Sequence, residues 1–104
     1  MMFQHDEGRP TVEVTFELPA TGARTAHLCG EFNDWATEAT PMTRLDDGGF
    51  RVTLALPTGR RWRFRYLLDG HRWENDWAAD DYVPNDYGGQ DSVLDLGSPD
   101  RHLP

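Results

Sequence analysis

From Trp62 to Leu68 every second residue is large and apolar: Trp62, Phe64, Tyr66 and Leu68, with Arg61, Arg63 and Arg65 interleaved. Successive side chains of an extended chain point to opposite faces, so this run makes sense as a strand with an aromatic face inward and a cationic face outward. Two further segments carry the same period. Val12, Val14, Phe16 and Leu18 alternate with Glu13, Thr15 and Glu17, and Phe50, Val52, Leu54 and Leu56 alternate with Arg51, Thr53 and Ala55. Shorter strands are expected from Thr25 to Gly30 and from Ser92 to Leu96. Turn residues stand between them, at Pro19 to Gly22 and at Pro57-Thr58-Gly59. Asp69-Gly70 reads as a tight hairpin turn that returns the chain through His71 to Trp73. No segment sustains a period of 3.6. Six or seven short strands in a chain of this size predict an all-β, antiparallel sandwich. Residues 74–91, rich in Asp, Asn, Gly and Tyr and without alternation, are expected to form one long loop.

With 104 residues, one domain is expected, spanning residues 10–97, with flexible ends at residues 1–9 and 98–104. Ten basic residues, all arginine, stand against eighteen acidic ones, a formal charge of −8. Such a chain repels phosphate backbones and anionic lipid, so nucleic acid and membranes are not expected partners. No apolar run approaches the roughly 20 residues of a membrane span. The first ten residues are polar with no apolar stretch, so no secretory signal is expected. Cys29 is alone, which rules out an internal disulfide and suits a reducing compartment. Together these predict a cytoplasmic protein. The four histidines are scattered and none pairs at metal-ligand spacing, so no metal site is expected. Four Trp, three Tyr and five Phe exceed what a core this small requires. Some rings are therefore expected at the surface.

Three constellations could carry chemistry. In Gly30-Glu31-Phe32-Asn33-Asp34-Trp35 a strand ends and a turn brings Trp35 to its rim; the ring either folds back onto the core or offers a flat face to a ligand. In the second, the hairpin returns Trp73 beside Arg63 and Arg65. A ring flanked by a guanidinium suits a sugar, whose C–H groups pack on the ring while fixed donors bind its hydroxyls; the alternative is a cation–π pair that only stabilises. The third is the acidic run Glu74, Asp76, Asp80, Asp81, Asp86 and Asp91, which reads as a solvated loop. Neither an EF-hand spacing nor an acid set in an apolar stretch supports calcium binding or glycoside hydrolysis. No nucleophilic triad or phosphate-cradling glycine motif is present.

In their order and spacing, Gly30-Glu31-Phe32-Asn33-Asp34-Trp35, Phe64-Arg65-Tyr66-Leu67-Leu68-Asp69-Gly70, Trp73 and Tyr87-Gly88-Gly89-Gln90-Asp91-Ser92-Val93 resemble the family-48 carbohydrate-binding modules. These include the N-terminal early-set domains of isoamylase and glycogen branching enzymes and the glycogen-binding domain of the AMP-activated protein kinase β subunit. The resemblance spans about residues 10–97 and implies an immunoglobulin-like sandwich that binds α-1,4-linked glucans and catalyses nothing. It implies an aromatic platform of Trp35 and Trp73, with Arg65 beside it in place of the lysine of the glycogen-binding branch. Tyr87 stands where that branch projects a leucine against the sugar. Asp91 stands where it has an asparagine that hydrogen-bonds sugar hydroxyls. Asn75-Asp76-Trp77 departs from the Asp-Pro that often follows the hairpin tryptophan.

The expected function is therefore non-catalytic binding of glycogen, starch or maltooligosaccharide through Trp35, Arg65, Trp73, Tyr87 and Asp91, with no cofactor. The alternative is a module that docks on a glycogen- or starch-metabolising enzyme, or on another protein, without touching sugar.

Overall fold

The structure is a computed structural model describing residues 10–97. The ends expected at residues 1–9 and 98–104 lie outside the described residues. Eight strands follow in order: β1 (Thr11–Leu18), β2 (Ala26–Gly30), β3 (Thr43–Arg44), β4 (Phe50–Pro57), β5 (Arg61–Leu68), β6 (Arg72–Glu74), β7 (Asp81–Pro84) and β8 (Gln90–Asp95). They form two antiparallel sheets, β1-β4-β3 and β2-β5-β8-β7, with β6 paired to β5. The core lies between them. This is the all-β sandwich that the alternation predicts.

β5 is the central strand, and its two faces divide as the sequence implies. Trp62, Phe64, Tyr66 and Leu68 are buried, while Arg61 is exposed and Arg63 and Arg65 are half-buried. Phe64 meets Phe16 of β1 edge-on at 5.1 Å and Tyr66 at 5.7 Å between ring centroids. The Phe16 contact joins the two sheets while the Tyr66 contact runs along β5, and such aromatic pairs add to the burial of the rings. The inward positions of β1 and β4 are buried unevenly. Phe16, Leu18, Phe50 and Leu56 are buried, Val14, Val52 and Leu54 are half-buried, and Val12 is exposed. The core cluster runs through the first set, and the half-buried residues pack at its margin.

Residues 74–91 are not the single loop that their composition suggests. β7 forms within them, pairing with β8 from Asp81↔Val93 to Pro84↔Gln90. Its hydrogen-bonding partner β8 begins only at the end of the segment, at Gln90, and runs on beyond it, and the four residues of β7 are too few for an alternation to register. Pro84, lacking an N–H, stands at its end. β3 is only two residues long, too short for a period to register.

Candidate functional site

One edge of β5 changes partner part-way along. Residues Arg61 to Phe64 pair with β8, the last match being Phe64↔Ser92, whereas Tyr66 to Leu68 pair with β6, starting at Tyr66↔Glu74. Arg65 falls at the handover, between the two strands. Polar side chains stitch the break. Ser92 Oγ donates to Asn75 Oδ1 at 2.7 Å and accepts from the Asp76 N–H at 2.9 Å, and Asn75 Nδ2 donates to the Gln90 carbonyl at 3.0 Å. Ser92, the cross-strand partner of the buried Phe64, is itself fully buried, so this stitching lies on the inward side of the sheet.

Beyond the end of β2 the chain makes one turn of 3-10 helix, Glu31–Asn33. Phe32 packs inward against Phe16 and Trp62, each 5.9 Å away between centroids. Asn33 organises the rest: its Oδ1 accepts from the Gly30 N–H at 3.0 Å, and its Nδ2 donates to the Leu28 carbonyl and to Thr40 Oγ1. The Trp35 N–H then returns to the Gly30 carbonyl at 2.8 Å. Asp34 and Trp35 both hold left-handed backbone angles, φ 57° and 59°. Two such residues in succession are unfavourable by about 1–2 kcal/mol each, a strain that concentrates at ligand sites. Trp35 ends half-buried on the rim.

Trp73 reaches the same region by the short way. Asp69 and Gly70 take φ 53° and 76°, the left-handed pair of a tight hairpin turn, and bring β6 back antiparallel to β5. Asp69 Oδ1 accepts from the N–H groups of Arg24 and Thr25, at 2.8 and 3.1 Å, and these bonds hold its carboxyl below the usual aspartate range. The turn is thereby tied to the start of β2. Trp73 is the cross-strand partner of Leu67, which is buried although it shares a strand face with the arginines. One side of the Trp73 ring therefore has an apolar neighbour; the residue remains 39% exposed. The Arg65 guanidinium lies 5.2 Å from the ring centroid, and its buried Nε has no protein acceptor.

The third wall is the turn between β7 and β8. Asn85 Oδ1 accepts from the Tyr87 and Gly89 N–H groups, and the Asn85 N–H donates to the Gly89 carbonyl. Tyr87 stands at the tip, 91% exposed. Asp91 is only 5% exposed: one carboxylate oxygen accepts from Asn85 Nδ2 at 3.0 Å, and the other lies 3.6 Å from Arg63 Nη1.

All five residues expected from the sequence, Trp35, Arg65, Trp73, Tyr87 and Asp91, line one cleft of about 710 Å³. The same walls include Arg63, Glu31 and Asn85, which sequence reasoning did not select as ligand residues. The signal for Arg63 was present, since it shares the outward period of Arg65. Asn85 announced itself only as a turn former. Glu31 accepts from the Arg63 backbone N–H and from Arg60, each at 2.9 Å, which ties the Trp35 turn to β5.

Of the acidic run, Asp86 also lines the cleft, whereas Trp62, Trp77, Asp76, Asp80 and Asp81 do not. Trp62 is core, with the Arg60 guanidinium 3.6 Å from its ring centroid, and Trp77, 74% exposed, is not part of the cleft wall. The acidic run disperses into separate contacts: Asp76 accepts from the Tyr66 hydroxyl at 2.7 Å, Asp81 pairs with Arg61 at 2.6 Å, and Asp80 accepts from the Asp95 N–H. Burial and the Asp76 carboxylate push the Tyr66 phenol well up. Among the described residues, no group of three His, Cys, Asp or Glu side chains converges to hold a metal ion.

Residues 4–83 match the family model described as carbohydrate-binding module 48 (isoamylase N-terminal domain). The match takes in Trp35, Arg65 and Trp73 and ends before Tyr87 and Asp91. No curated protein matches the chain.

Proposed function

The chain belongs to the carbohydrate-binding module 48 family, and from that premise we propose that it binds α-1,4-linked glucans without cleaving them. Glycogen, starch and maltooligosaccharides are the ligand class. Trp35 and Trp73 would offer ring faces to successive glucose units, Arg65 would donate to their hydroxyls, and Tyr87 would close over the sugar from the tip of the β7–β8 turn. Asp91 belongs to the same wall.

The single observation that supports this reading best is that two tryptophans from separate elements, Trp35 on a strained turn and Trp73 on β6, line one cleft. A surface that served only the fold would have no use for either arrangement. Stacking contributes roughly 1 kcal/mol per ring beyond area burial, and each net hydrogen bond about as much. The expected affinity is therefore in the micromolar-to-millimolar range. The walls suit recognition rather than hydrolysis. A glycosidase needs two carboxyls flanking the scissile bond, whereas of the three carboxyls on the cleft walls Asp91 is engaged with Asn85 and Arg63 and Glu31 with Arg60 and the Arg63 N–H, which leaves Asp86 alone. A cytoplasmic setting is part of the proposal and rests on Cys29, a single buried thiol whose pKa burial pushes up.

The test is a titration of intrinsic tryptophan fluorescence with maltoheptaose or β-cyclodextrin, against a cellooligosaccharide control. A saturable response to the α-glucans alone is expected. Trp35→Ala and Trp73→Ala should each weaken binding at least about tenfold while still folding cooperatively. Silence of the parent protein would replace this reading with that of a module docking on a glycogen- or starch-metabolising enzyme or another protein. Unfolding of either variant would mean that its ring belongs to the core.

A further inference from the structure

A buried carboxylate is expensive unless it is paired and hydrogen-bonded. Asp91 meets that demand with two partners that come from different elements of the cleft wall. One oxygen holds Arg63, which rises from the outward face of β5, and the other holds Asn85, which shapes the turn carrying Tyr87. With 5% exposure it offers little to a sugar. Arg63 is differently placed. Its side chain is 43% exposed on the cleft wall, and a guanidinium carries five N–H donors, of which the Asp91 contact engages one nitrogen.

We propose, on the reading that the cleft binds glucan, that Arg63 is a direct hydrogen-bond donor to the sugar and that Asp91 is its positioning residue, locking the same wall to the Tyr87 turn through Asn85. Sugar hydroxyls accept as well as donate, so a fixed guanidinium fits them without any acceptor nearby. The pair would act as a unit. Arg63 without Asp91 loses its anchor, and Asp91 without Arg63 is left with a half-satisfied charge.

Calorimetric titration with maltoheptaose of the parent, Arg63→Gln, Asp91→Asn and the double variant tests this. Each single substitution is expected to weaken binding about tenfold, and the double variant no more than the weaker-binding single, because coupled residues are non-additive. Factors that multiply, to about a hundredfold in the double variant, would mean that Asp91 meets the sugar on its own account, and would overturn the assignment. If Asp91→Asn does not fold, Arg63→Gln decides: binding equal to the parent overturns the proposal, and a tenfold loss with unchanged melting supports it. Absence of binding by the parent would overturn this proposal together with the glucan reading, whereas parent binding with either adverse variant result overturns this proposal alone.

Discussion

Gly30 is where a single methyl group should disturb both stability and binding. Its backbone is extended, at φ −171°, so conformational freedom is not what the position requires. What it requires is space. A Cβ there would lie 2.6 Å from the Arg63 carbonyl oxygen and 2.8 Å from Cζ of Phe32. Ordinary carbon–oxygen approach is about 3.3 Å, so β2 and β5 would have to separate by about 0.7 Å at the Gly30↔Phe64 pair. Neither neighbour yields easily. The oxygen belongs to the central strand, and the Phe32 ring is packed against Phe16 and Trp62. Overpacking of this kind costs about 1–3 kcal/mol, which for a domain of this size lowers Tm by about 4–24 °C. The same residue accepts the Trp35 N–H and abuts the backbone of Arg63, so the displacement also shifts two walls of the cleft. Loss of roughly one ring's stacking would weaken maltoheptaose binding about tenfold. Thermal melts followed by circular dichroism, paired with the fluorescence titration, measure both effects. A Gly30→Ala protein melting within about 2 °C of the parent and binding as well would refute the steric argument.

Phe64→Ala removes a ring that is 2% exposed and contacts both Phe16 and Tyr66. A loss of about 3–5 kcal/mol by denaturant titration is expected, against a total of about 5–15 kcal/mol for a domain of this kind; a melt like the parent's would mean that the faces of β5 are inverted. Asp69 has its folded pKa lowered from 3.8 by the N–H groups of Arg24 and Thr25. Its contribution is complete above that ordinary value and is lost as pH falls through the lower folded one, so melts taken from about pH 5 to about pH 2 should fall more steeply for the parent than for Asp69→Asn. Parallel curves would show that those two bonds do not respond to the carboxyl's charge.

The period-2 alternation alone determined the strands that build the core. Burial on one face of a strand selects side chains at every second position, and that selection is written locally in residues 12–18, 50–56 and 62–68. The tight turn was equally legible, because Asp69 and Gly70 tolerate the left-handed angles that it needs. The platform candidates Trp35 and Trp73 could be read from surplus aromatics beside turns, together with the resemblance of their flanking motifs to a known family. Other properties had no local signature. β7 exists because β8 supplies its hydrogen bonds across the sheet, and a run of Asp, Tyr, Val and Pro does not foretell such a partner. The break along β5, where β8 gives way to β6 opposite Arg65, is a matter of register between three strands. Asp91 looked like a ligand residue in sequence. Its burial and its two partners, Arg63 from β5 and Asn85 from the β7–β8 turn, are set by tertiary packing. Local spacing governs which face a side chain takes, whereas its neighbours across a sheet depend on how distant strands align.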